Sequence, residues 1–428
     1  MTNHMKSKYR RFWRLAVYSL AILAAIFILA TLVKRALLPF STFIKPSSQP
    51  LRNVVSEDPV IADIFFSNEL GADGALITDT KLLQMITKEI DQAQKTLEIA
   101  MYSFKAPMIR EAIYRANERG VKITLVLDSR KSVIHDQFFS DLPPRIKRLD
   151  LGFIGQPAAL MHHKFALIDR GAPNEKLIFG SFNWTELQAV YDRSFIFVTG
   201  NHELVSSFGR EFDRLTKGEG GRDKLKDINY HPWDLKLKAG SYNYEVWFGP
   251  GWKDYSFNKR IFSLLEAAKS DIKIMIWNFT DTSLAQEILR RARAGVKITI
   301  LADNLNFSGS SSVFQLLNKA KSEENLANLE ILKDAALAPD VRSVGATTKE
   351  TELDPFLHHH ILIIDNKEIL FGTNNWSKGG SYSNDESVMI SDAPEILRRF
   401  LDSFSYNYQL IKNATPPQPT SDSNSLKD

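Results

Sequence analysis

The chain has 428 residues, 44% of them hydrophobic, and a formal net charge of +4, a normal composition for one large or two ordinary globular domains. It contains no cysteine, so disulfides, thiolate catalysis and cysteine-ligated zinc are excluded. Residues 1–40 hold seven basic residues and no acid, and removing these seven charges from +4 leaves −3 on the remainder. A slightly acidic body argues against indiscriminate nucleic-acid binding, which depends on neutralising phosphates.

The first predicted element is a membrane span. Residues 15–33 are an unbroken run in which Ser19 and Thr31 are the clearly polar members, and a helix of about 20 apolar residues crosses a hydrocarbon core about 30 Å thick. A buried core helix and a cleaved signal peptide are alternatives, but the run is long for a signal peptide and no good Ala-x-Ala site follows it. We therefore predict an uncleaved signal anchor at residues 15–35.

The charges beside this run predict its orientation. Five basic residues precede it and two follow it, so the positive-inside rule predicts a cytoplasmic segment at residues 1–14. The body is then predicted on the extracytoplasmic side, periplasmic or at the cell surface, as in a single-pass membrane protein. Residues 36–60, with their prolines and serines, are predicted to be a linker.

An internal repeat organises the body. Residues 97–128 and 272–303 align at an offset of 175, and both contain Gly-Val-Lys-Ile-Thr. Each copy has the pattern of an apolar strand, an amphipathic helix, a glycine stop and a second strand, which is a βαβ unit. Amphipathic patterns predict further helices at residues 80–93, 203–215, 258–269 and 395–410.

These patterns predict the domain organisation. We expect an α/β fold of two tandem α/β/α halves, at residues 61–216 and 243–412, with mixed, largely parallel sheets. The glycine-containing stretch at residues 217–242 is predicted to be a linker. The Pro-, Ser- and Asp-rich tail at residues 413–428 is predicted to be disordered.

A polar motif lies in the first half. His162, Lys164 and Asp169 surround a short apolar run, and Asn183 follows on a Gly-Ser turn. Period two along a strand places His162 and Lys164 on one face. A base and a cation pointing the same way suit chemistry at phosphorus, where an imidazole attacks and a lysine holds the anionic oxygens.

The second half carries a similar motif. His358 and Asp365 take the places of the first histidine and aspartate, His360 stands in the lysine position, and Asn375 follows on a Gly-Thr turn. The motif histidines are 196 residues apart, so the second half has about 21 extra residues before His358. An insertion there is expected at the mouth of the site, where it would shape substrate access.

A metal site is an alternative interpretation of the two histidine clusters, which hold five of the nine histidines. Neighbours on a strand face opposite ways, and the nearby acids continue the strand pattern instead of supplying a third converging ligand. We therefore predict no metal. His163 and His359 are expected on the opposite face, packed or hydrogen-bonded.

The paired motifs, each followed by a Gly-Ser/Thr-x-Asn turn, resemble those of the phospholipase D superfamily over nearly all of residues 60–412. The resemblance implies two phospholipase D-like halves that build one active site within one chain, so no dimer is required. It also implies a phosphohistidine intermediate and no cofactor. His162 would be the nucleophile and His358 the general acid.

The resemblance assigns roles to further residues. The catalytic set would be His162, Lys164, Asp169, His358, His360 and Asp365, with a structural role for the two aspartates kept open. The phosphate-binding set would be Lys164, Ser181, Asn183, Thr373 and Asn375, with Asn374 as the alternative to Asn375. The acids that orient the imidazoles would be Glu386 and, after a small shift in register, Asp192.

The chain departs from the superfamily pattern at two places. His360 removes one permanent cation, so phosphate holding there would depend on a protonated imidazole. The first half has Tyr-Asp-Arg at 191–193 where an orienting acid is expected. Three interpretations stay open: an active enzyme with a weakened second half, an enzyme with altered pH dependence, and a degenerate scaffold. The survival of both histidines and both asparagine turns favours activity.

The predicted function is a membrane-anchored phosphodiesterase that cleaves or transfers phosphatidyl groups of phospholipids. The anchor places the site near lipid headgroups, and the acidic body disfavours nucleic acid. The first alternative is a metal-independent endonuclease, because Gly-Ser-Phe-Asn-Trp-Thr at 180–185 is similar to the nuclease-like branch. The second alternative is a phosphate-binding scaffold without turnover.

Overall fold

The computed structural model describes residues 52–67, 81–151, 159–190, 192–227, 230–252, 255–307, 312–334 and 357–414. The predicted signal anchor at residues 15–35 and most of the predicted insertion before His358 lie outside these ranges, as do residues 415–428. Within the ranges, no helix combines the length and the apolar character that crossing a membrane needs.

The first half builds a seven-stranded sheet. Its strands, numbered along the whole chain, are β2 (Ala62–Phe66), β3 (Thr96–Met101), β5 (Lys122–Asp128), β6 (Lys147–Leu151), β7 (Lys164–Ile168), β8 (Lys176–Gly180) and β10 (Phe195–Thr199), in the order β2-β10-β8-β7-β3-β5-β6. A separate pair joins β4 (Phe104–Lys105) to β9 (Trp184–Thr185). The helices are α1 (Lys81–Asp91), α2 (Pro107–Glu118), α3 (Ser132–Phe138), α4 (Glu186–Val190) and α5 (His202–Thr216), and a 3₁₀ helix spans Ser129–Lys131.

The second half builds a nine-stranded sheet. Its strands are β1 (Arg52–Ser56), β11 (Trp233–Ala239), β12 (Tyr242–Phe248), β13 (Asp271–Ile276), β14 (Lys297–Asp303), β15 (Leu329–Asp334), β16 (His360–Ile364), β17 (Glu368–Gly372) and β18 (Ser387–Ser391), in the order β1-β11-β12-β18-β17-β16-β13-β14-β15. The helices are α6 (Phe257–Ala267), α7 (Thr282–Arg293), α8 (Val313–Glu323), α9 (Lys378–Tyr382) and α10 (Pro394–Ala414), with 3₁₀ helices at Gly221–Lys226 and Asn304–Phe307.

The sheets are mixed, as predicted, but they are not largely parallel. In the first sheet β3 pairs parallel with β5, and β5 with β6, while the other four ladders are antiparallel. The second sheet repeats this arrangement with β13, β14 and β15. The βαβ units supply these parallel strands, whereas each motif strand returns directly as a hairpin, which is antiparallel.

Two predicted linkers contain strands. Arg52–Ser56, within the predicted linker at 36–60, pairs parallel with Trp233–Ala239, within the predicted linker at 217–242. Leu235, Leu237 and Ala239 alternate with exposed or half-exposed residues and are fully buried. This period-two pattern packs one face of β11 on the core, so both predicted linkers contribute strands to the second sheet.

The two sheets share a core. The ring of Phe371, on β17, lies 6.2 Å from that of Phe179 and 5.8 Å from that of Phe195, both in the first sheet. Phe400, on α10, packs on the same ring at 4.9 Å. Burying each such side chain stabilises the fold by about 1.5–3 kcal/mol, so the halves form one packed unit that holds both motifs.

Candidate active site

Each motif histidine lies just before a central, fully buried strand. His162 precedes β7 and His358 precedes β16, and every residue of both strands is buried. The two histidines have the same backbone setting: the amide of Tyr102 donates to the carbonyl of His163, and that of Trp277 donates to the carbonyl of His359, both at 3.0 Å. The rings of Tyr102 and Trp277 pack on His162 and His358, with centroids 4.9 and 5.3 Å apart.

Two buried aspartates hold the segments that lead into the motifs. Oδ2 of Asp128 accepts from the amide of Met161 at 2.8 Å, and Oδ2 of Asp303 accepts from that of Leu357 at 2.9 Å. Sequence reasoning paired these aspartates in the repeat but gave them no role. Their position at the end of the second repeat strand, one strand away from the motif strand, was the available signal.

The two motif imidazoles line one cavity. It has a volume of 810 Å³, and its walls include His162, His358, Asn183 and Asn375. Each histidine side chain is 3% exposed. Both imidazoles therefore face the same space.

Glu386, predicted as the orienting acid of the second half, contacts the imidazole of His162 in the first half. Its Oε2 lies 2.8 Å from Nδ1 of His162 and accepts from the hydroxyl of Thr373 at 2.6 Å, while Oε1 accepts from Asn384 at 3.0 Å. A carboxylate at Nδ1 favours the tautomer with its proton there and leaves Nε2 with a lone pair. The acid of one half therefore serves the histidine of the other.

His358 lacks the corresponding acid. The equivalent of Glu386, at an offset of 192 set by the strand pairing, is Ser194. Nδ1 of His358 has no hydrogen-bond partner among the described residues. The predicted orienting role of Asp192 is therefore wrong for this atom, although Asp192 does line the cavity. Asp192 lies two positions before Ser194 in the chain, and Ser194 is the position equivalent to Glu386.

Burial controls the charges of this site. It lowers the pKa of His162 and of His358 well below the usual value, with Lys164 adding to the effect. Burial also lowers the pKa of Lys164 to about 7 and raises that of Glu386 to about 7. Nζ of Lys164 donates to the carbonyl of His162 at 2.9 Å, so the ammonium is held beside the nucleophile position.

His360 is a fully buried imidazole in the lysine position of the second motif. It is 1% exposed, its ring centroid lies 5.4 Å from that of His358, and neither ring nitrogen has a hydrogen-bond partner within the described ranges. Burial lowers its pKa well below the usual value. The second motif therefore lacks a permanent cation where the first has Lys164.

The residues predicted to bind phosphate differ in their access to the cavity. Lys164 is fully buried and does not line it. Asn183 and Asn375 line the cavity, and their buried Oδ1 atoms have no partner in the described part of the chain. Asn374 instead donates to the carbonyl of Gly380 at 3.1 Å.

The predictions for Ser181 and Thr373 are corrected. The hydroxyl of Ser181 accepts from the amide of Phe195 at 3.2 Å, and that of Thr373 accepts from the amide of Ser387 at 3.0 Å and donates to Glu386. These hydroxyls tie each motif turn to the neighbouring strand, and neither residue lines the cavity.

Asp169 and Asp365, predicted as catalytic, are structural. Asp169 accepts from the amides of residues 94–96, and Asp365 from those of residues 269–271. Both have positive φ, +49° and +51°, which aspartate tolerates better than most residues. Each lies at the far end of its motif strand and anchors a helix-to-strand connection there. The two aspartates therefore have the structural role that the sequence left open.

His163 and His359 face away from the cavity, as predicted. His163 contacts Ser387 Oγ at 2.6 Å and Glu211 Oε1 at 2.7 Å, whereas the ring of His359 stacks on that of Phe195 at 6.1 Å. His163, Glu211 and Asp385 are arranged closely enough to ligate a metal. The ammonium of Lys224 contacts both of these carboxylates, so a side-chain cation already balances them.

Three cations that sequence reasoning missed line the cavity, namely Lys105, Arg130 and Lys131. Nζ of Lys131 lies 5.6 Å above the ring of Tyr102, and Arg130 donates to the carbonyl of Ala159 at 2.9 Å. All three belong to the first half. At the offset of 175, the second half has Thr, Leu and Asn at 280, 305 and 306, so the positive charge lies on one side of the cavity.

Two similar α/β halves that each place a histidine in one shared cavity define a two-motif phosphodiester-processing site of the phospholipase D class. The family model described as "Cardiolipin synthase, PLD-like domain" matches residues 86–216 and 261–408, which is more than half of the chain. The chain therefore belongs to this phospholipase D-like family.

Curated relatives match a part of the chain. Mitochondrial cardiolipin hydrolase of Xenopus tropicalis is 27% identical over 128 residues, covering 29% of this chain and 56% of that protein. The protein of the same name from Danio rerio is 32% identical over 123 residues, covering 29% and 52%. The human protein is 27% identical over 133 residues, covering 31% and 50%. The chain thus spans about half the length of these relatives.

Solved structures share the fold. Phosphatidylserine synthase of Haemophilus influenzae Rd KW20 has a TM-score of 0.61 at 13% identity, covering 84% of this chain and 89% of its own. Polyphosphate kinase of Porphyromonas gingivalis has a TM-score of 0.51 at 13% identity, covering 81% and 50%. At this identity the likeness concerns the arrangement of the two halves and not the substrate.

Proposed function

We propose that this protein is a membrane-anchored phosphodiesterase that cleaves or transfers phosphatidyl groups of phospholipids. The observation that carries the proposal is the pair of imidazoles of His162 and His358 in one cavity. Glu386 contacts Nδ1 of His162, and Nζ of Lys164 donates to the carbonyl of His162. A nucleophile, an acid–base partner and a cation are the groups that substitution at a phosphodiester needs.

The reaction proceeds in two displacements. The bound phosphodiester anion offsets the burial that lowers the pKa of His358, so His358 carries a proton in the complex. Nε2 of His162 attacks phosphorus and forms an N–P bond as the P–O bond to the alcohol breaks, and protonated His358 gives its proton to the departing oxygen. His358 then takes a proton from water or an acceptor alcohol, whose oxygen attacks phosphorus as the N–P bond breaks. General acid–base catalysis of this kind contributes typically about 10²–10⁴-fold to a rate.

The phosphate oxygens are held by Lys164, Asn183 and Asn375. The two asparagine side chains line the cavity, and their Nδ2 groups can donate to phosphate oxygens. Burial is the main reason why the pKa of the Lys164 ammonium is lowered. A bound phosphodiester anion offsets that cost, since an opposite charge nearby favours the charged lysine. Substrate binding therefore restores the charge that stabilises the pentavalent transition state.

Three observations support a phospholipid as the substrate. Residues 15–35 have the length and composition of a signal anchor, which would place residues 61–216 and 243–412 beside a membrane on its extracytoplasmic side. The curated relatives carry the name cardiolipin hydrolase. The cavity wall adds apolar side chains, Ile134, Phe138 and Leu160, to its cations, a combination that suits a lipid with an anionic headgroup.

A metal-independent endonuclease is the second candidate. The one-sided cations Lys105, Arg130 and Lys131 suit a polynucleotide backbone as well as a lipid headgroup, because both present phosphate. The two histidines would perform the same two displacements on either substrate, so a direct comparison of substrates has to decide.

The experiment uses the full chain reconstituted in vesicles, with a chelator present throughout. Separate vesicles contain phosphatidylcholine with a primary alcohol, or cardiolipin, and a parallel reaction contains single-stranded DNA. His162→Asn removes the nucleophile. His202→Asn is the matched control, because His202 is an exposed histidine outside the cavity that pairs with Glu175.

We expect phosphatidate or phosphatidyl-alcohol from the wild type and His202→Asn, and none from His162→Asn. Mass spectrometry of protein quenched in denaturant should find phosphate or phosphatidyl on His162. Cleavage of DNA without lipid turnover would contradict the phospholipid proposal and show that the protein is an endonuclease. Binding of lipid or DNA without turnover would support the scaffold.

A further inference from the structure

A buried lysine from the segment that connects the two halves contacts two buried carboxylates. Nζ of Lys224, in the 3₁₀ helix Gly221–Lys226, lies 2.6 Å from Oδ1 of Asp385 and forms an ion pair with Glu211. It also donates to the carbonyl of Gly249 at 2.9 Å. The three charged side chains are at most 2% exposed. Each of the three ammonium protons therefore has an acceptor, as a buried charge requires.

This cluster holds the backbone that carries His162. The carbonyl of Asp385 accepts from the amide of His162 at 2.9 Å, and its amide donates to the carbonyl of Leu160 at 2.8 Å. Oδ1 of Asp385 also accepts from the amide of Gly221 at 2.7 Å. The next residue is Glu386, which contacts Nδ1 of His162. A displacement of Asp385 therefore moves the nucleophile and its orienting carboxylate together.

A second connection runs through His163. This imidazole lies between Glu211 and Ser387, at 2.7 and 2.6 Å. His163 follows His162 in the chain, and Ser387 follows Glu386. The two segments that form the His162–Glu386 contact are thus joined by main-chain hydrogen bonds at Asp385 and by side chains at His163 and Ser387. Glu211 links this second connection back to Lys224.

The first half has no such arrangement around its own acid position. At the offset of 192, the equivalent of Asp385 is Arg193, which forms a buried ion pair with Asp334. The equivalent of Glu386 is Ser194, and His358 has no acid at Nδ1. Of the two cavity histidines, the lysine-centred cluster accompanies His162, the one that has a carboxylate at Nδ1.

We propose that Lys224 is a positioning residue for His162, because its ammonium balances Glu211 and Asp385 and so holds Glu386 against the imidazole. The segment between the halves thereby contributes to the active site without lining the cavity. The catalytic consequence rests on the proposed phosphodiesterase function, whereas the structural consequence does not.

The first test compares Lys224→Met with Lys226→Met. Lys226 is in the same 3₁₀ helix, is 73% exposed and pairs with Asp223 on the surface, so it is a matched control. With bis(p-nitrophenyl) phosphate as a soluble substrate, we expect Lys224→Met to lower kcat by at least about tenfold, since small misplacements of reacting groups cost up to about 10²-fold. KM should stay within about twofold. Lys226→Met should match the wild type.

A double-mutant cycle separates charge balance from general loss of stability. Asp385→Asn keeps the backbone contacts and an oxygen for Gly221 but removes one of the two negative charges. We expect Lys224→Met to lower kcat much less in the Asp385→Asn background than in the wild type, because only one carboxylate is then left to balance. Equal effects in both backgrounds would overturn the proposal.

The second test does not depend on turnover. With ¹⁵N-labelled histidine, the proton between His162 and Glu386 is assigned by its loss in Glu386→Gln. We expect Lys224→Met to displace or broaden this resonance and Lys226→Met to leave it unchanged. If Lys224→Met does not fold, Asp385→Asn takes its place with the same expectation. An unchanged resonance overturns the positioning role, whereas a displaced resonance in a protein without activity overturns the phosphodiesterase alone.

Discussion

Nδ1 of His162 lies 2.8 Å from Oε2 of Glu386, although 224 residues separate them and they belong to different halves of the molecule. The reverse contact is missing, because Ser194 stands where an acid would face His358. The two halves are similar in fold but unequal in chemistry, and this inequality underlies the predictions that follow.

Glu386→Gln should disable His162. The carboxylate accepts from Thr373, Asn384 and His162, so an amide group placed there faces a donor in either orientation. The imidazole then loses the tautomer that keeps Nε2 free, and kcat should fall by about 10²–10⁴-fold.

The control for this change is Glu175→Gln. Glu175 contacts Nδ1 of His202 at 2.7 Å, which is the same type of pair outside the cavity. Steady-state kinetics of both folded variants make the comparison. A loss of less than about threefold in Glu386→Gln would contradict an orienting role, since that role belongs to general acid–base catalysis.

The pH profile of kcat/KM should be a narrow bell near pH 7. Burial raises the pKa of Glu386 to about 7, so its ionised form is lost as the pH falls through this value. Burial lowers the pKa of Lys164 to about 7, so its charge is lost as the pH rises through this value. Because Glu386 and Lys164 interact, the apparent pKa values of the two limbs belong to the pair and not to either residue alone.

Lys164→Arg identifies the alkaline limb. A guanidinium stays charged far above pH 7, so the alkaline limb should move upward by at least about one pH unit even if kcat falls. Lys122→Arg, at an exposed position on β5, is the control. An alkaline limb that stays in place would show that another group titrates there.

His360→Lys should strengthen phosphate binding. The buried imidazole of His360 is neutral, and a protonated lysine at pH 6 would supply the second cation of the site. A charge-assisted hydrogen bond is about twice as strong as a neutral one, and a gain of about 1.4 kcal/mol corresponds to about tenfold in affinity. Calorimetric titration with inorganic phosphate measures it, with His202→Lys as the control. Unchanged affinity would mean that position 360 does not contact the bound anion.

Asp169→Ala and Asp365→Ala should destabilise the fold without lowering kcat of the folded protein. Each carboxylate accepts three backbone amides, and loss of hydrogen bonds to a charged acceptor costs about 1.5–3 kcal/mol. We expect about 2–4 kcal/mol per variant in urea unfolding. A catalytic role would instead appear as a lower kcat at unchanged stability.

These two aspartates also predict acid sensitivity. Burial would raise the pKa of Asp365, but bonds from the amides of residues 269–271 lower it to about 2. A group whose pKa is lowered on folding stabilises the protein above its unfolded pKa of about 3.9, and the contribution is lost as the pH falls toward the folded value. Unfolding followed from pH 5 to pH 2 should show a smaller loss of stability in the alanine variants.

Much of the fold follows from local patterns. Periodicity of apolar residues predicted α1, α5, α6 and α10, and the repeat at an offset of 175 predicted both βαβ units. The motif histidines, the cavity asparagines and the outward direction of His163 followed from motif spacing and from period two along a strand. The share of parallel strands was overestimated, because a βαβ signal is strong and a hairpin between buried strands has little signal of its own.

Local sequence patterns did not predict the side chains that contact the site residues. Glu386 was assigned through its motif, but neither Ser194 nor Lys224 has a sequence signal that connects it with an imidazole. Arg130 and Lys131 line the cavity because they follow β5 in the chain. The period-two pattern of β11 is a local strand signal, but its pairing with β1 is not. Each of these contacts joins segments that are far apart in sequence.

The sequence by itself determined two copies of a strand-and-helix unit, two histidines that precede buried strands and a long apolar run near the amino terminus, because periodicity and composition act over short distances. Only the tertiary structure decided which acid faces which imidazole, which charges are buried together and which aspartates are structural. The physical reason is that burial and electrostatic pairing depend on packing between segments up to 224 residues apart, and no local pattern contains that information.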